Sequence, residues 1–199
     1  MRKLLLFIIL FIFNNLHSMS RSTSIYGHII FGDLKNVISF IASHPSFDLN
    51  ELDENGYSCL HYACESEREN IVKFLFNQCV DLNVVDKEGF TPFDYAFEAQ
   101  YYNIICLFLE KFKSRKLEID IYEYFNYAIK NKLSRSISAL LDCGIEVTKK
   151  QLLLASKVYK TNLALGKSSG EIKGYTNTLL LLISSYKKKH KDFNSKKLW

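Results

Sequence analysis

The sequence predicts an all-α chain built from tandem helix pairs, and three observations carry that reading. A block of eleven residues returns after 33 positions. Apolar residues downstream of each copy fall at helical spacing. The composition holds only 8 Gly and 2 Pro in 199 residues, with 48% hydrophobic and 24% charged. That is a folded chain rather than a disordered or low-complexity one, long enough for one domain or two small ones.

The block Asp53-Glu54-Asn55-Gly56-Tyr57-Ser58-Cys59-Leu60-His61-Tyr62-Ala63 reappears as Asp86-Lys87-Glu88-Gly89-Phe90-Thr91-Pro92-Phe93-Asp94-Tyr95-Ala96. Asn70-Ile71-Val72-Lys73-Phe74-Leu75 returns as Asn103-Ile104-Ile105-Cys106-Leu107-Phe108 at the same offset. Each copy opens on Asp-x-x-Gly, a tight turn in which Gly is free to take φ > 0 and Asp bonds backbone amides two residues on. Ser58 or Thr91 then stands where a helix needs its N-cap, and Pro92 fits the first helical turn, where its missing N–H costs nothing. Leu60 and Ala63, or Phe93 and Ala96, share one face. A second helix follows, with Ile71, Val72, Leu75 and Phe76 forming its apolar stripe. Neither helix pair can hide that stripe alone, so neighbours must stack.

Ser58-Cys59-Leu60-His61-Tyr62-Ala63 and Thr91-Pro92-Phe93-Asp94-Tyr95-Ala96 resemble the T-P-L-H-x-A signature of the ankyrin repeat family, and Asp48-Leu49-Asn50 and Asp81-Leu82-Asn83 resemble its D-x-N ending. The resemblance implies an ankyrin-type α-solenoid of roughly four to five stacked helix-turn-helix repeats with short β-hairpin loops. The repeats fall at 25–50, 53–83, 86–115 and 121–147, with a degenerate cap at 148–186, inside a domain spanning 21–186. In the first, Gly32-Asp33-Leu34 opens the second helix and Val37, Phe40 and Ile41 face the core. In the fourth, Tyr127-Ala128 lies in the first helix, Ile137, Leu140 and Leu141 in the second, and Gly144 stops it; a charged linker, Lys113 to Asp120, replaces the Asp-x-x-Gly turn. The cap holds helical stretches at Leu152 to Tyr159 and Tyr175 to Tyr186. Glu67 and Gln100 depart from the pattern, standing where the family has Gly between its two helices, and Cys79 replaces a C-terminal Gly. A non-Gly residue in a left-handed turn is penalised by roughly 1 kcal/mol, so another loop geometry is expected there.

The chemistry-bearing residues point away from catalysis. There is no H-E-x-x-H and no phosphate-cradling glycine loop, and residues 148–199 are too short for a catalytic domain. Cys59, His61 and Cys64 lack the second half of a zinc site, and the resemblance makes His61 the signature histidine that bonds the neighbouring hairpin backbone. No catalytic residue, metal, cofactor or small-molecule substrate is expected. The five cysteines show no paired framework, which favours reduced thiols; one bridge between adjacent repeats is the alternative.

Function then rests on a surface. The resemblance implies a protein partner held by hairpin tips and first-helix faces: Glu54, Asn55, Tyr57, Glu65 and Ser66 in one repeat, and Lys87, Glu88, Phe90, Glu98 and Ala99 in the next. Tyr57 and Phe90 follow the turn Gly and are expected to point outward as interface anchors, removable without loss of melting temperature. Arg2 and Lys3 precede Leu4 to Phe13, ten unbroken apolar residues, and Ser18-Met19-Ser20 supplies small residues after them, the pattern of a secretory signal peptide over residues 1–20. Its rise of about 15 Å is half the roughly 30 Å bilayer core. The chain is therefore expected to be exported; the alternative is a membrane-tethered scaffold with this segment retained, the only route to a membrane.

Residues 187–199 hold six Lys and one Asp, whereas 21–186 sum to −2, so a nucleic-acid-binding body is disfavoured. The basic tail fits a nuclear address, an anionic-lipid contact, an RNA patch or, as favoured here, a solvated end. Abundant Ile, Lys, Asn, Phe and Tyr suggest an AT-rich genome, and with it a host protein as candidate partner of a monomeric module.

Overall fold

The computed structural model describes residues 24–191 and 193–198. The leader expected at residues 1–20 lies outside the described residues, as does Trp199. The chain divides after Tyr95 into two compact units. Among the described residues ten α-helices succeed one another in five pairs, and none of these residues lies in a β-strand. The short β-hairpins expected between repeats are therefore tight turns instead.

In the first unit, α1 (Ile25–Phe31) starts on Ser24, whose hydroxyl accepts from the Gly27 amide at 3.1 Å. α2 (Leu34–Ser43) starts on Asp33, which accepts from Asn36 N–H at 3.1 Å. α3 (Cys59–Glu65) and α4 (Glu69–Leu75) form the second pair. α1 packs on α2 and α3, and α3 packs on α4, so first helices adjoin and each pair closes on itself. The predicted stripes are inside: Leu60, Ala63, Ile71, Val72, Leu75 and Phe76 are all buried. Burial of each large member favours folding by about 1.5–3 kcal/mol. Val37 is buried as expected, but Phe40 and Ile41 are only half covered; Phe40 stacks on His44 at 4.2 Å and meets Phe47 edge-on at 5.5 Å. The two D-x-N endings are joined directly, Asn50 Oδ1 accepting from the Asp81 amide at 2.8 Å.

α5 (Pro92–Glu98) carries the unit boundary and is followed by α6 (Tyr102–Arg115). The second unit continues with α7 (Ile121–Asn131), α8 (Ser134–Asp142), α9 (Lys149–Ala164) and α10 (Ser169–Lys189). Here α6 packs on α8, α7 on α8 and α9, and α10 on α8 and α9, the layered contacts of a helical solenoid. The linker expected at Lys113 to Asp120 is shorter than predicted, because α6 runs through Arg115. Asp120 caps α7 by accepting from the Tyr122 and Glu123 amides at 3.1 and 3.0 Å. Capping boxes at Thr148/Gln151 and Ser168/Glu171 start the last two helices, which outrun their predicted ends.

Two further expectations are corrected. Glu67 and Gln100 do take the left-handed conformation, at φ 56 and 59, and so does Lys132 at φ 61. Each matches Gly32 at φ 78. In all four the next amide reaches back five residues, as in Arg68 N–H to Ala63 C=O at 2.8 Å and Leu133 N–H to Ala128 C=O at 3.0 Å. Closing the helix ends in this way outweighs the penalty of roughly 1 kcal/mol. Cys79 is not among the positive-φ residues, so the loop there takes another geometry, as expected. The tail is not merely solvated: Phe193 meets Tyr186 at 4.7 Å, the Ser156 hydroxyl donates to the Leu198 carbonyl, and Leu198 is buried.

Candidate functional site: the stapled turns

The two Asp-x-x-Gly turns have one design. Asp53 Oδ1 accepts from the Asn55 and Tyr57 amides, both at 2.9 Å, while Oδ2 accepts from the Tyr62 hydroxyl at 2.6 Å. Thirty-three residues on, Asp86 Oδ1 accepts from the Glu88 and Phe90 amides at 2.8 and 2.9 Å, and Oδ2 from Tyr95 at 2.5 Å. Each turn is thus tied to the helix that follows it by a carboxylate reaching a tyrosine nine residues ahead. Burial works against ionisation of Asp53 and Asp86, but these hydrogen bonds outweigh it and hold both carboxyls below their ordinary value.

Neighbouring turns are cross-linked. His61 Nδ1 accepts from the Ser58 amide at 3.1 Å, which leaves the proton on Nε2 to donate to the Phe90 carbonyl at 3.1 Å. This is the bond the signature histidine was expected to make. Burial lowers the His61 pKa, favouring the neutral ring that does both jobs. In the next copy Asp94 takes its place, accepting from Thr91 N–H and Oγ1–H, both at 2.7 Å. A carboxylate acceptor caps its own helix but has no proton to send onward. The Lys87 ammonium donates to the Glu54 carbonyl, a second bridge between tips. Its stem crowds Gly56: a Cβ there would lie 2.8 Å from both Lys87 Cγ and the Lys87 backbone N, with φ at +88. At Gly89 the same addition meets open space.

The residues singled out from the sequence therefore separate. Glu54, Asn55, Glu65, Lys87 and Glu88 are exposed, Phe90 is 39% exposed, and Ser66 is half-buried at the end of α3. Tyr57 does not point outward as expected. Its ring stacks on His61 at 5.6 Å, and its hydroxyl lies 2.8 Å from that of Tyr95. Because Tyr95 donates its proton to Asp86, Tyr57 donates to Tyr95, and the chain runs Tyr57 to Tyr95 to Asp86. Burial, then Asp86 and Tyr57, push the Tyr95 pKa upward. Glu98 and Ala99 are exposed in the second unit, where Glu98 accepts from Tyr127 at 2.5 Å. Sequence reasoning saw Tyr62 and Tyr95 recur but assigned them no role; their distance of nine from each turn Asp was the available signal.

Both His61 nitrogens are engaged, and Cys59 and Cys64 are buried, the Cys59 thiol pushed up to about 12 by burial, so these three residues do not present a metal site. Among the described residues no group of three or more His, Cys, Asp or Glu is placed to hold a metal ion, and no helix is long and apolar enough to cross a membrane.

Residues 27–122 match the family model described as ankyrin repeats, in three copies. A search of the curated proteins finds no match. The matched segment spans the first three helix pairs and enters the fourth, and within it the Asp turns and the left-handed turns between helices recur. Residues 27–122 of this chain are ankyrin repeats.

Proposed function

We propose that the protein is a non-enzymatic binding module that grips a protein partner through its turn tips and the exposed ends of its first helices. Ankyrin repeats are a protein-interaction architecture, and the division of labour in the turns supports this use here. Asp53, Asp86, Tyr57, Tyr62, Tyr95 and His61 are spent on internal hydrogen bonds. The exposed ring of Phe90 and the carboxylates of Glu54 and Glu88 stand outside them, Asn55 and Lys87 are exposed although each makes an internal bond, Glu65 and Ser66 lie at the end of α3, and Glu98 and Ala99 are exposed in the second unit. Charge favours a protein over a nucleic acid on the first unit: residues 24–95 carry four Lys and Arg against twelve Asp and Glu, which repels phosphate.

Affinity purification with mass spectrometry tests the reading. Wild-type protein enriches a partner that the combined variant Phe90→Ala, Glu88→Ala, Glu54→Ala loses at an almost unchanged melting temperature. Equal recovery by both proteins overturns it. Tyr57→Ala belongs outside this test, because it removes a hydrogen bond and a stacked ring.

The module works as a monomer outside the cell that makes it, reached by cleavage of residues 1–20, with a host protein as the candidate partner. The unbroken apolar run Leu4 to Phe13 also supports a retained tether. N-terminal sequencing of the mature protein separates the two: a start near residue 19 or 21 means export, and an intact Met1 means a tether.

A further inference from the structure

The five cysteines fall into three environments. Cys59 and Cys64 are buried, Cys79 is exposed, and Cys106 and Cys143 are partly exposed. The last two are neighbours. α6 and α8 pack side by side, and the Tyr102 hydroxyl donates to Asp142 Oδ2 at 2.9 Å, fastening the start of α6 to the end of α8. Cys106 lies one turn further along α6 and Cys143 is the C-cap of α8, next to Asp142, so the two cysteines flank the Tyr102–Asp142 bond.

We propose that Cys106 and Cys143 form a thiol–disulfide site that an external disulfide of the glutathione type oxidises to an intramolecular bridge between α6 and α8. In the first step the Cys106 thiolate attacks the external S–S bond, forming a mixed disulfide and releasing one thiolate. Cys143 then gives up its proton and attacks the Cys106 sulfur, forming the Cys106–Cys143 bond and expelling the second thiolate. Two protein thiols are oxidised, one external disulfide is reduced, and the two released protons end on the two small thiols. Partial exposure gives the reagent access that Cys59 and Cys64 deny, and the packing of α6 on α8 makes ring closure faster than capture by a second chain.

Two consequences are measurable. The bridge restricts the unfolded chain between residues 106 and 143, so oxidised protein melts higher, by about 10 °C. Burial, the Cys106 sulfur, and the carboxylates of Glu110 and Asp142 push the Cys143 thiol up to about 12. Closure therefore accelerates with pH, by up to roughly tenfold per unit through the neutral and mildly alkaline range.

The experiment treats the full chain with oxidised glutathione, quenches in acid, alkylates the remaining thiols, and maps peptides without reduction. The expected result is a peptide joining Cys106 to Cys143, with a melting shift that reductant reverses. Cys143→Ser and Cys106→Ser abolish the shift, whereas Cys79→Ser retains it. Recovery of both thiols in alkylated form overturns the site. So does a stable glutathione adduct on either without closure, or a shift that survives in Cys143→Ser. Should Cys106→Ser fail to fold, Cys143→Ser at the helix end decides alone.

Discussion

The two units of this chain belong to one helix-pair design but are held together differently. In the first, helices of seven to ten residues alternate with turns closed by carboxylates, tyrosines and one histidine. In the second, α9 and α10 reach 16 and 21 residues, and local caps at Asp120, Thr148 and Ser168 start the helices. Short helices bury little per element and fray readily, so the first unit relies on polar ties between its turns. Longer helices pack more side chains per turn of chain, and the second unit dispenses with the Asp-x-x-Gly staple. Their charges are opposite as well: twelve acids against four bases in 24–95, nine against nineteen in 96–199.

The sharpest way to probe the contrast lies within the first unit. Gly56→Ala meets both a positive φ and the Lys87 backbone, and is expected to cost about 2–3 kcal/mol. Gly89→Ala meets only the positive φ and is expected to cost about 1 kcal/mol. Urea denaturation monitored by circular dichroism checks the order; equal costs would mean that the two tips do not touch through Lys87.

Acid comes next. The folded pKa of His61 lies below its unfolded value of about 6.5. As pH falls below about 6.5 the unfolded chain takes up this proton first, so stability declines from there until the folded pKa is reached. Asp53 and Asp86 have depressed values, so their contribution is present above about 3.8 and is lost as pH falls through the folded values. The first unit should therefore weaken in two stages. His61→Gln should remove the upper one, and an unchanged profile in that variant would show that His61 is not the group responsible.

The smallest effect is a gain. Glu67→Gly relieves a left-handed backbone and is expected to stabilise by up to about 1 kcal/mol. Gln100→Gly gains less, because it also removes the side chain that accepts from the Arg135 amide at 3.1 Å. Differential scanning calorimetry should place Glu67→Gly above both wild type and Gln100→Gly.

What the sequence made legible was local. Asp-x-x-Gly, the caps at Ser58 and Thr91, and the apolar stripes are read within a few residues, because their partners lie that close. Tyr57 was misjudged because its partner, Tyr95, is 38 residues away. Glu67, Gln100 and Lys132 carry no mark of a left-handed turn; the register of the repeat imposes it at a cost their helix ends repay. The near-zero charge of residues 21–186 hid two opposed halves, since the sum was taken across the boundary at Tyr95. The basic tail reads as a solvated end, yet Phe193 and Leu198 find a place against Tyr186 and α9.

Amide hydrogen exchange at Asn55, Tyr57, Glu88 and Phe90 tests the carboxylate staples most directly. All four amides lie in turns without strands, so only the Asp53 and Asp86 carboxylates account for protection. The wild-type protein should exchange all four slowly, and Asp86→Ala should release Glu88 and Phe90 while Asn55 and Tyr57 stay protected. Exchange of all four at open-loop rates in the wild type would contradict the account.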